Sequence, residues 1–177
     1  MNTKIIKSNR KTISISIETN SVIVRAPEYL SDDEIFSFIE KKKDWINKKL
    51  KETENIIKMP KFSDNEIIRL KTLAKEIIPN KVKHYANKIG VDFGKITIRS
   101  QKTRWGSCSS KGNLNFNCLL MLFPDKIVDS IVAHELCHRK HMNHSKAFYA
   151  ELNKAFPEYK ECEKWLKTNG KYYISRL

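Results

Sequence analysis

The sequence predicts an α+β protein with two regions, an N-terminal β-hairpin with a helix and a larger domain built on a mixed or antiparallel sheet. Short segments that alternate between polar and apolar residues indicate the strands, and segments with an apolar residue every three or four positions indicate the helices. The 177 residues are 40% hydrophobic and 31% charged, with five Gly and five Pro. This composition is typical of globular proteins and excludes collagen-like, low-complexity and disordered chains.

The chain is expected to begin with a β-hairpin. Residues 12–17 (TISISI) alternate strictly between polar and apolar side chains, as half-buried strands do. Residues 18–21 (ETNS) have the composition of a turn, and residues 22–25 (VIVR) predict the second strand. The hairpin is expected to close at Pro27.

A single helix should follow the hairpin. Ser31 and Glu34 have the spacing of a capping box, which marks a helix start. The apolar stripe of this helix extends to residue 50 and consists of Ile35, Phe38, Ile39, Trp45, Ile46 and Leu50. Residues 51–62 are polar and end in Met59-Pro60, which predicts a linker. We therefore expect an N-terminal region over residues 1–58 and a second domain over residues 62–177.

The second domain should open with a helix from Asp64 to Ile89, which Pro79 is expected to kink or divide. Residues 95–100 and residues 114–122 alternate again and predict two strands. A further helix should start at Asp125, because Pro124 precedes an apolar stripe there. The longest uninterrupted apolar run is only six residues, whereas a membrane span needs ~20, so no membrane partner is expected.

The chain is strongly basic, with 34 Lys and Arg against 20 Asp and Glu and a formal charge of +14. Residues 69–111 contain eleven basic and two acidic side chains. Nucleic acid is therefore a candidate partner of this segment, although a solvated lysine-rich face explains the same composition. The four cysteines form no CxxC pair, which favours reduced thiols in a cytoplasmic protein. The N-terminal residues have no apolar core suited to a secretory signal.

The clearest chemical motif is the HExxH sequence of residues 134–138. Positions i and i+4 lie on one face of a helix, so His134 and His138 can bind one Zn²⁺ ion. Glu135 lies beside that face and could take a proton from a water molecule that the metal activates. Two histidines packed in a core are the alternative reading of this pair.

His144 is the expected third ligand, provided that the helix ends just after His138 and the chain turns back. Asn143 suits such a turn, and Ser145 suits the start of a new helix. The competing third ligands are downstream carboxylates, namely Glu151, Glu158 and Glu161. His141 is expected to support a ligand or contact substrate. Three protein ligands leave a fourth position open, which is typical of catalytic rather than structural zinc.

The residues also resemble a known family. Residues 104–117 (RWGSCSSKGNLNFN), residues 127–138 and Met142-Asn143-His144-Ser145 with Phe148 are similar to the YgjP-like metallopeptidase family of bacterial and archaeal predicted zinc-dependent hydrolases. The similarity includes the N-terminal hairpin and so covers nearly the whole chain. It implies a zincin-like domain in which His134, His138 and His144 bind the metal and Glu135 is the catalytic acid.

This resemblance also implies where substrate binds. In zincins an edge strand above the metal pairs with the substrate backbone, and residues 114–122 are the candidate strand here. Trp105 and Gly106 are expected to shape the entry to this strand, and Arg104 or Ser107 to contact substrate, with ordinary turn and core packing as the alternative. Tyr149 could stabilise an oxyanion, with a surface or core aromatic residue as the alternative, and Asn143 could contact substrate or support a ligand.

The predicted function is hydrolysis of amide bonds in a peptide or protein, with one Zn²⁺ ion as cofactor. The distant similarity to SprT-like proteases suggests an alternative, a nucleic-acid-associated protease that acts on DNA-bound proteins. A non-catalytic metal-binding module is the third interpretation. The sequence predicts neither the cleavage specificity nor the oligomeric state.

Overall fold

The computed structural model describes residues 2–18, 21–57 and 60–177. It is a mixed α+β protein with two small mixed sheets and six α-helices in this part of the chain. The chain divides into two compact units, Met1–Pro60 and Lys61–Leu177. Each unit has its own hydrophobic core. No helix among the described residues is both long and apolar enough to cross a membrane.

The sheet of the first unit has three strands, β1 (Asn2–Ser8), β2 (Ser14–Glu18) and β3 (Ser21–Pro27). Strand β3 is central and pairs antiparallel with β2 and parallel with β1. The predicted hairpin is thus confirmed as β2 and β3, whereas β1 was not predicted. Thr19 and Asn20 of the predicted turn lie outside the described residues.

The expected single helix of the first unit is two helices, α1 (Asp32–Lys41) and α2 (Lys43–Ile57). The predicted capping box is present, because the Ser31 side chain accepts a hydrogen bond from the Glu34 N–H at 3.2 Å. The helix is interrupted at Lys42, whose N–H donates a hydrogen bond to the Ile39 carbonyl at 3.0 Å.

The prediction of a linker from residue 51 was wrong over residues 51–57, because α2 continues to Ile57. Lys and Glu favour helix even where a segment has no apolar stripe, and Lys49 pairs with Glu52 one turn later. The rest of the predicted linker includes Lys58 and Met59, which lie outside the described residues.

The second unit opens with the predicted helix α3 (Asp64–Ile89). Ser63 caps its start and Gly90, with φ of 74°, ends it in the left-handed conformation that glycine adopts readily. Pro79 lies inside α3 and does not divide it. Ile78 and Val82 are fully buried on either side of the proline, and this packing favours one continuous helix despite the missing backbone donor.

The second sheet consists of β4 (Ile96–Arg99), β5 (Gly106–Cys108) and β6 (Leu114–Asn117) in the order β4-β6-β5. The expected strand over residues 114–122 is therefore too long. Its second half is a 3₁₀ helix (Cys118–Leu122), which starts where the Asn117 side chain accepts a hydrogen bond from the Leu119 N–H at 3.2 Å.

Three helices complete the second unit, α4 (Asp125–Cys137), α5 (Lys146–Ala155) and α6 (Tyr159–Ile174). The predicted start of α4 at Asp125 is confirmed. Helix α4 contacts α3, α5, α6 and β5, so it lies at the centre of this unit. Its apolar side chains join the larger core, which makes α4 a rigid support for any side chains at its carboxyl end.

Candidate metal centre

Helix α4 carries His134 and His138 one turn apart and then ends. The ring centroids of the two imidazoles are 5.0 Å apart, as expected for positions i and i+4. His138 is the C-cap residue of α4. The His141 N–H then forms a further turn by donating a hydrogen bond to the Cys137 carbonyl at 3.0 Å. The predicted helix end after His138 is confirmed.

The turn after α4 brings His144 back to the same place. Ser145 caps α5 as predicted, since its hydroxyl accepts a hydrogen bond from the Phe148 N–H at 3.3 Å. The Nε2 atom of His144 lies 3.0 Å from Nε2 of His134. One ligand atom from each of the three histidines lies within 4.8 Å of the others.

These three imidazoles form a donor set that a metal ion could use. Tetrahedral zinc with Zn–N bonds of ~2.0–2.1 Å separates its ligand nitrogens by roughly 3.3 Å, a spacing similar to that seen here. The carboxylates considered as competing third ligands have other partners. Glu151 pairs with Lys140 at 2.8 Å, and Lys126 pairs with both Glu158 and Glu161.

The environment of His134 and His138 favours the neutral imidazole, which is the form that binds metals. Burial lowers the pKa of His134 to about 4, and the neighbouring His138 and His144 add to this effect. Burial also lowers the pKa of His138, against the hydrogen bond to the His141 carbonyl. That bond, from Nδ1 at 3.0 Å, leaves Nε2 as the free nitrogen of a neutral ring. His141 therefore contacts the proposed ligand His138 through its backbone carbonyl.

Phe148 lies against all three histidines. Its ring centroid is 4.9 Å from that of His134, 4.7 Å from that of His138 and 4.8 Å from that of His144. Phe148 is fully buried and belongs to the core of the second unit. The apolar core therefore reaches the imidazoles directly and limits how they can rotate.

Glu135 is buried beside the histidines, with 7% of its surface exposed. Burial raises the pKa of its carboxyl group to about 8, while the positive charge of Arg104 and a hydrogen bond from the Cys108 backbone oppose this rise. Gly106 makes this position possible, because a Cβ atom there would lie 2.6 Å from Oε1 of Glu135.

The strand beside this group is β5, which corrects the expectation for residues 114–122. Strand β6 is central in its sheet, whereas β5 has a neighbour on one side only among the described strands. A cavity of about 290 Å³ lies between β5 and the histidines. Its lining includes Ser107 and Cys108 of β5, Glu135 and the exposed Met142.

Arg104 and Trp105 line a second cavity, of about 300 Å³, which shares Gly106, His134 and Glu135 with the first. Their loop is held by Asn117, which is fully buried. The Asn117 side-chain amide donates to the carbonyls of Gln101 (2.7 Å) and Arg104 (3.1 Å), and its N–H donates to the carbonyl of Trp105 (2.8 Å). Asn117 therefore positions the loop.

The other residues predicted to contact substrate are Tyr149, Ser107 and Asn143. The Tyr149 ring lies 6.2 Å from that of His144, on the side facing a third cavity. Ser107 accepts a hydrogen bond from Asn115 at 3.3 Å. Asn143 is exposed on the turn between α4 and α5. Substrate contacts by these three residues stay predictions.

The basic segment over residues 69–111 is spread over α3, β4, β5 and the loops between them. Part of its charge is already used within the protein, because Lys81 pairs with Asp125 and Asp129 at 2.7 Å each. Binding of nucleic acid by this segment stays a prediction.

Sequence reasoning missed Cys108, Met142 and Glu163, which line these cavities. A strand of three residues is too short to give a recognisable alternation, so Cys108 had no signal of its own. Met142 lies between two predicted site residues, and its position in the HMNHS sequence was the available signal. Glu163 belongs to α6, and only the tertiary fold brings it to the cavity.

Comparisons with known proteins identify one family and find similar solved structures. The model of the YgjP-like family, metallopeptidase domain, matches residues 11–71 and 68–169. The metallopeptidase zymogen abylysin of Pyrococcus abyssi is 27% identical, with 52% of this chain and 94% of that chain covered and a TM-score of 0.49. For the zymogen jannalysin of Methanocaldococcus jannaschii the values are 25%, 52%, 95% and 0.47. Comparison with curated proteins gave no match.

Proposed function

The chain belongs to the YgjP-like metallopeptidase family, and on this premise we propose that it is a zinc peptidase of the zincin type. Membership makes it a metal-dependent hydrolase that acts on protein or peptide substrates. The finer assignment has three parts. One Zn²⁺ ion is bound by His134, His138 and His144, Glu135 moves the proton, and β5 holds the substrate.

The convergence of three imidazoles beside a buried carboxylate supports this proposal most directly. The ligand atoms lie within 4.8 Å of one another, and Glu135 is next to His134 in sequence and lines the same cavity. A structural zinc site is normally closed by four protein ligands, whereas three ligands leave a position for chemistry. A general base beside the site has a use only in catalysis.

Zinc at this position would supply Lewis-acid activation of a water molecule and polarisation of the scissile carbonyl. Glu135 would accept a proton from the attacking water and later donate it to the leaving amine. Burial favours the protonated form of Glu135, whereas Arg104 and the Cys108 backbone favour the carboxylate. These opposing influences suit a group that must both take and release a proton.

The unpaired edge of β5 is the proposed binding place for the substrate backbone. An extended peptide can add to such an edge through main-chain hydrogen bonds. The Cys108 backbone already interacts with Glu135, whose pKa it lowers, so the substrate would use other backbone groups of β5. Ser107 and Met142 line the cavity below this edge.

X-ray absorption at the zinc edge, combined with metal analysis, tests the proposal. We expect one zinc per chain, with three imidazole nitrogens and one oxygen or nitrogen at ~2.0 Å. Chelation should abolish peptide cleavage, and added Zn²⁺ should restore it. Sulfur in the zinc shell would point to Cys108 and overturn the ligand set, and the absence of stoichiometric metal would overturn the zinc assignment.

A further inference from the structure

We propose that the cavity lined by Arg104 and Trp105, here called the side pocket, selects a basic side chain of the substrate through the carboxylate of Glu163. This inference rests on the proposed function, because it assigns the cleavage specificity of the same site. It names Glu163 as a specificity-determining residue and lysine or arginine as the preferred substrate side chain.

The side pocket is placed to receive a residue next to the scissile bond. Its volume is about 300 Å³, and His134 and Glu135 form part of its wall. A substrate bound at the metal centre would therefore direct the side chain of an adjacent residue into this space. The loop that carries Trp105 is fixed by the buried Asn117, so the pocket is formed before substrate arrives.

Most of the wall of the side pocket is apolar. The apolar and aromatic residues that line it are Trp105, Ile131, Leu152, Tyr159 and Leu166. Such a wall suits a long aliphatic chain, because lysine and arginine pack their methylene groups on apolar surface while the charged end remains near water. The pocket therefore suits a substrate side chain with an apolar stem and a polar end.

Glu163 is placed to meet that polar end. It lines the side pocket and also the neighbouring open cavity beside His144 and Tyr149, so it lies where the two spaces adjoin. Its side chain is 37% exposed and its partner Lys167, at 3.9 Å, is 80% exposed. Such an exposed, long ion pair is weak, so a substrate cation can replace Lys167 at little cost.

Arg104 is the opposing charge in the side pocket. Its positive charge acts on Glu135, whose pKa it lowers, and its own side chain is exposed. If Arg104 rather than Glu163 controlled selection, the preferred substrate side chain would be acidic. The two possibilities predict opposite orders of affinity.

Peptide binding to the zinc-loaded Glu135→Gln protein distinguishes selection by Glu163 from selection by Arg104, because this variant should bind peptides without cleaving them. Three peptides differ at one position, which carries lysine, norleucine or glutamate, and norleucine matches the lysine stem without its charge. Calorimetry should give a lysine peptide affinity about three- to fivefold above that of norleucine, the range of a partly exposed ion pair. The glutamate peptide should bind most weakly.

A second substitution, Glu163→Gln, should remove the lysine preference, and Glu163→Lys should favour the glutamate peptide. Glu161→Gln is the matched control on the same helix, because Glu161 pairs with Lys126 and does not line the pocket. Equal affinities for lysine and norleucine, a lysine preference that survives Glu163→Gln, or tightest binding of the glutamate peptide would overturn the inference.

Cleavage of the same peptides by the wild-type protein separates this inference from the proposed function. Faster cleavage beside lysine, lost in Glu163→Gln, supports both. If no peptide is cleaved although lysine binds most tightly, the proposed function fails and the assignment of Glu163 as a lysine-selecting residue stands.

Discussion

Gly106 and Glu135 are so close that no other residue fits at position 106 without displacement. A Cβ atom on Gly106 would lie 2.6 Å from Oε1 and 2.7 Å from Cγ of Glu135, whereas real Cβ contacts are longer than 3.0 Å. This contact joins the edge strand β5 to helix α4. It sets how near the edge strand β5 can come to the proposed general base.

Replacing Gly106 with alanine should therefore move the Glu135 carboxylate. Displacements of about 1 Å at a catalytic group can cost about 100-fold in rate, and we expect kcat/KM for a peptide substrate to fall by about that factor. Overpacking should also lower the free energy of unfolding by about 1–3 kcal/mol. Thr97→Ala, on β4 of the same sheet, is the control, and wild-type kcat/KM in Gly106→Ala would contradict the close contact.

The substitution Glu135→Gln should leave zinc bound and stop turnover. The amide keeps the size of the carboxyl group but cannot accept a proton, and general acid–base catalysis typically contributes 10²–10⁴-fold. Metal analysis and peptide cleavage measured on the same preparation check both halves of this prediction. Glu161→Gln on α6 serves as the control, and full activity in Glu135→Gln would disprove the proposed proton transfer.

Removal of the third proposed ligand should weaken metal binding. His144→Ala should raise the zinc dissociation constant by more than about 100-fold, since even partners behind the ligands change metal affinity 10- to 100-fold. Competition with a coloured chelator measures this constant. His84, which is exposed on α3, provides the control His84→Ala. An unchanged dissociation constant in His144→Ala would exclude His144 as the third ligand and favour a carboxylate instead.

Asn117→Ala should loosen the loop that forms the side pocket. The carbonyls of Gln101 and Arg104 would lose their donor, at a cost of about 1–3 kcal/mol in unfolding free energy. We expect KM to rise more than kcat falls, because the loop lines the proposed substrate pocket and the three histidines keep their positions. Asn80→Ala, at an exposed position of α3, is the control. A kcat loss at constant KM would contradict this role.

Between about pH 4.5 and 8, the metal-free protein should lose stability relative to Glu135→Gln as pH rises, because the opposite contribution of His134 is common to both proteins. Burial raises the pKa of Glu135 from 4.5 to about 8. In this window the unfolded chain has released the proton that the folded protein still holds, so ionisation favours unfolding. Relative to Glu135→Gln, chelator-treated wild type should lose about 1 kcal/mol per pH unit. Urea denaturation at four pH values measures the difference, and parallel curves would contradict the raised pKa.

The helices were easier to predict than the sheets, for physical reasons. Helix α3 has the predicted bounds because a serine cap and a glycine stop mark its ends locally. Strand β1 was missed because its residues, NTKIIKS, do not alternate, and its partner β3 lies some twenty positions away. The alternation of residues 114–122 was misleading because Leu119, in the opposite phase, is also fully buried.

The candidate site was predicted where its chemistry is local in sequence. The spacing of His134 and His138 within one helix, and the turn before Ser145, could be read from neighbouring residues. The positions of Gly106, Cys108 and Glu163 could not, because each depends on how β5 or α6 packs against α4. The expected edge strand was assigned to β6 for the same reason, since strand order is a property of the tertiary fold.

Phe148 gives the metal centre an unusual dependence on the rest of the protein. Its ring contacts both the hydrophobic core and the three imidazoles. Metal affinity at the proposed site should therefore depend on how the core packs around this ring. A core substitution that lets this ring tilt should therefore weaken metal binding at the proposed site.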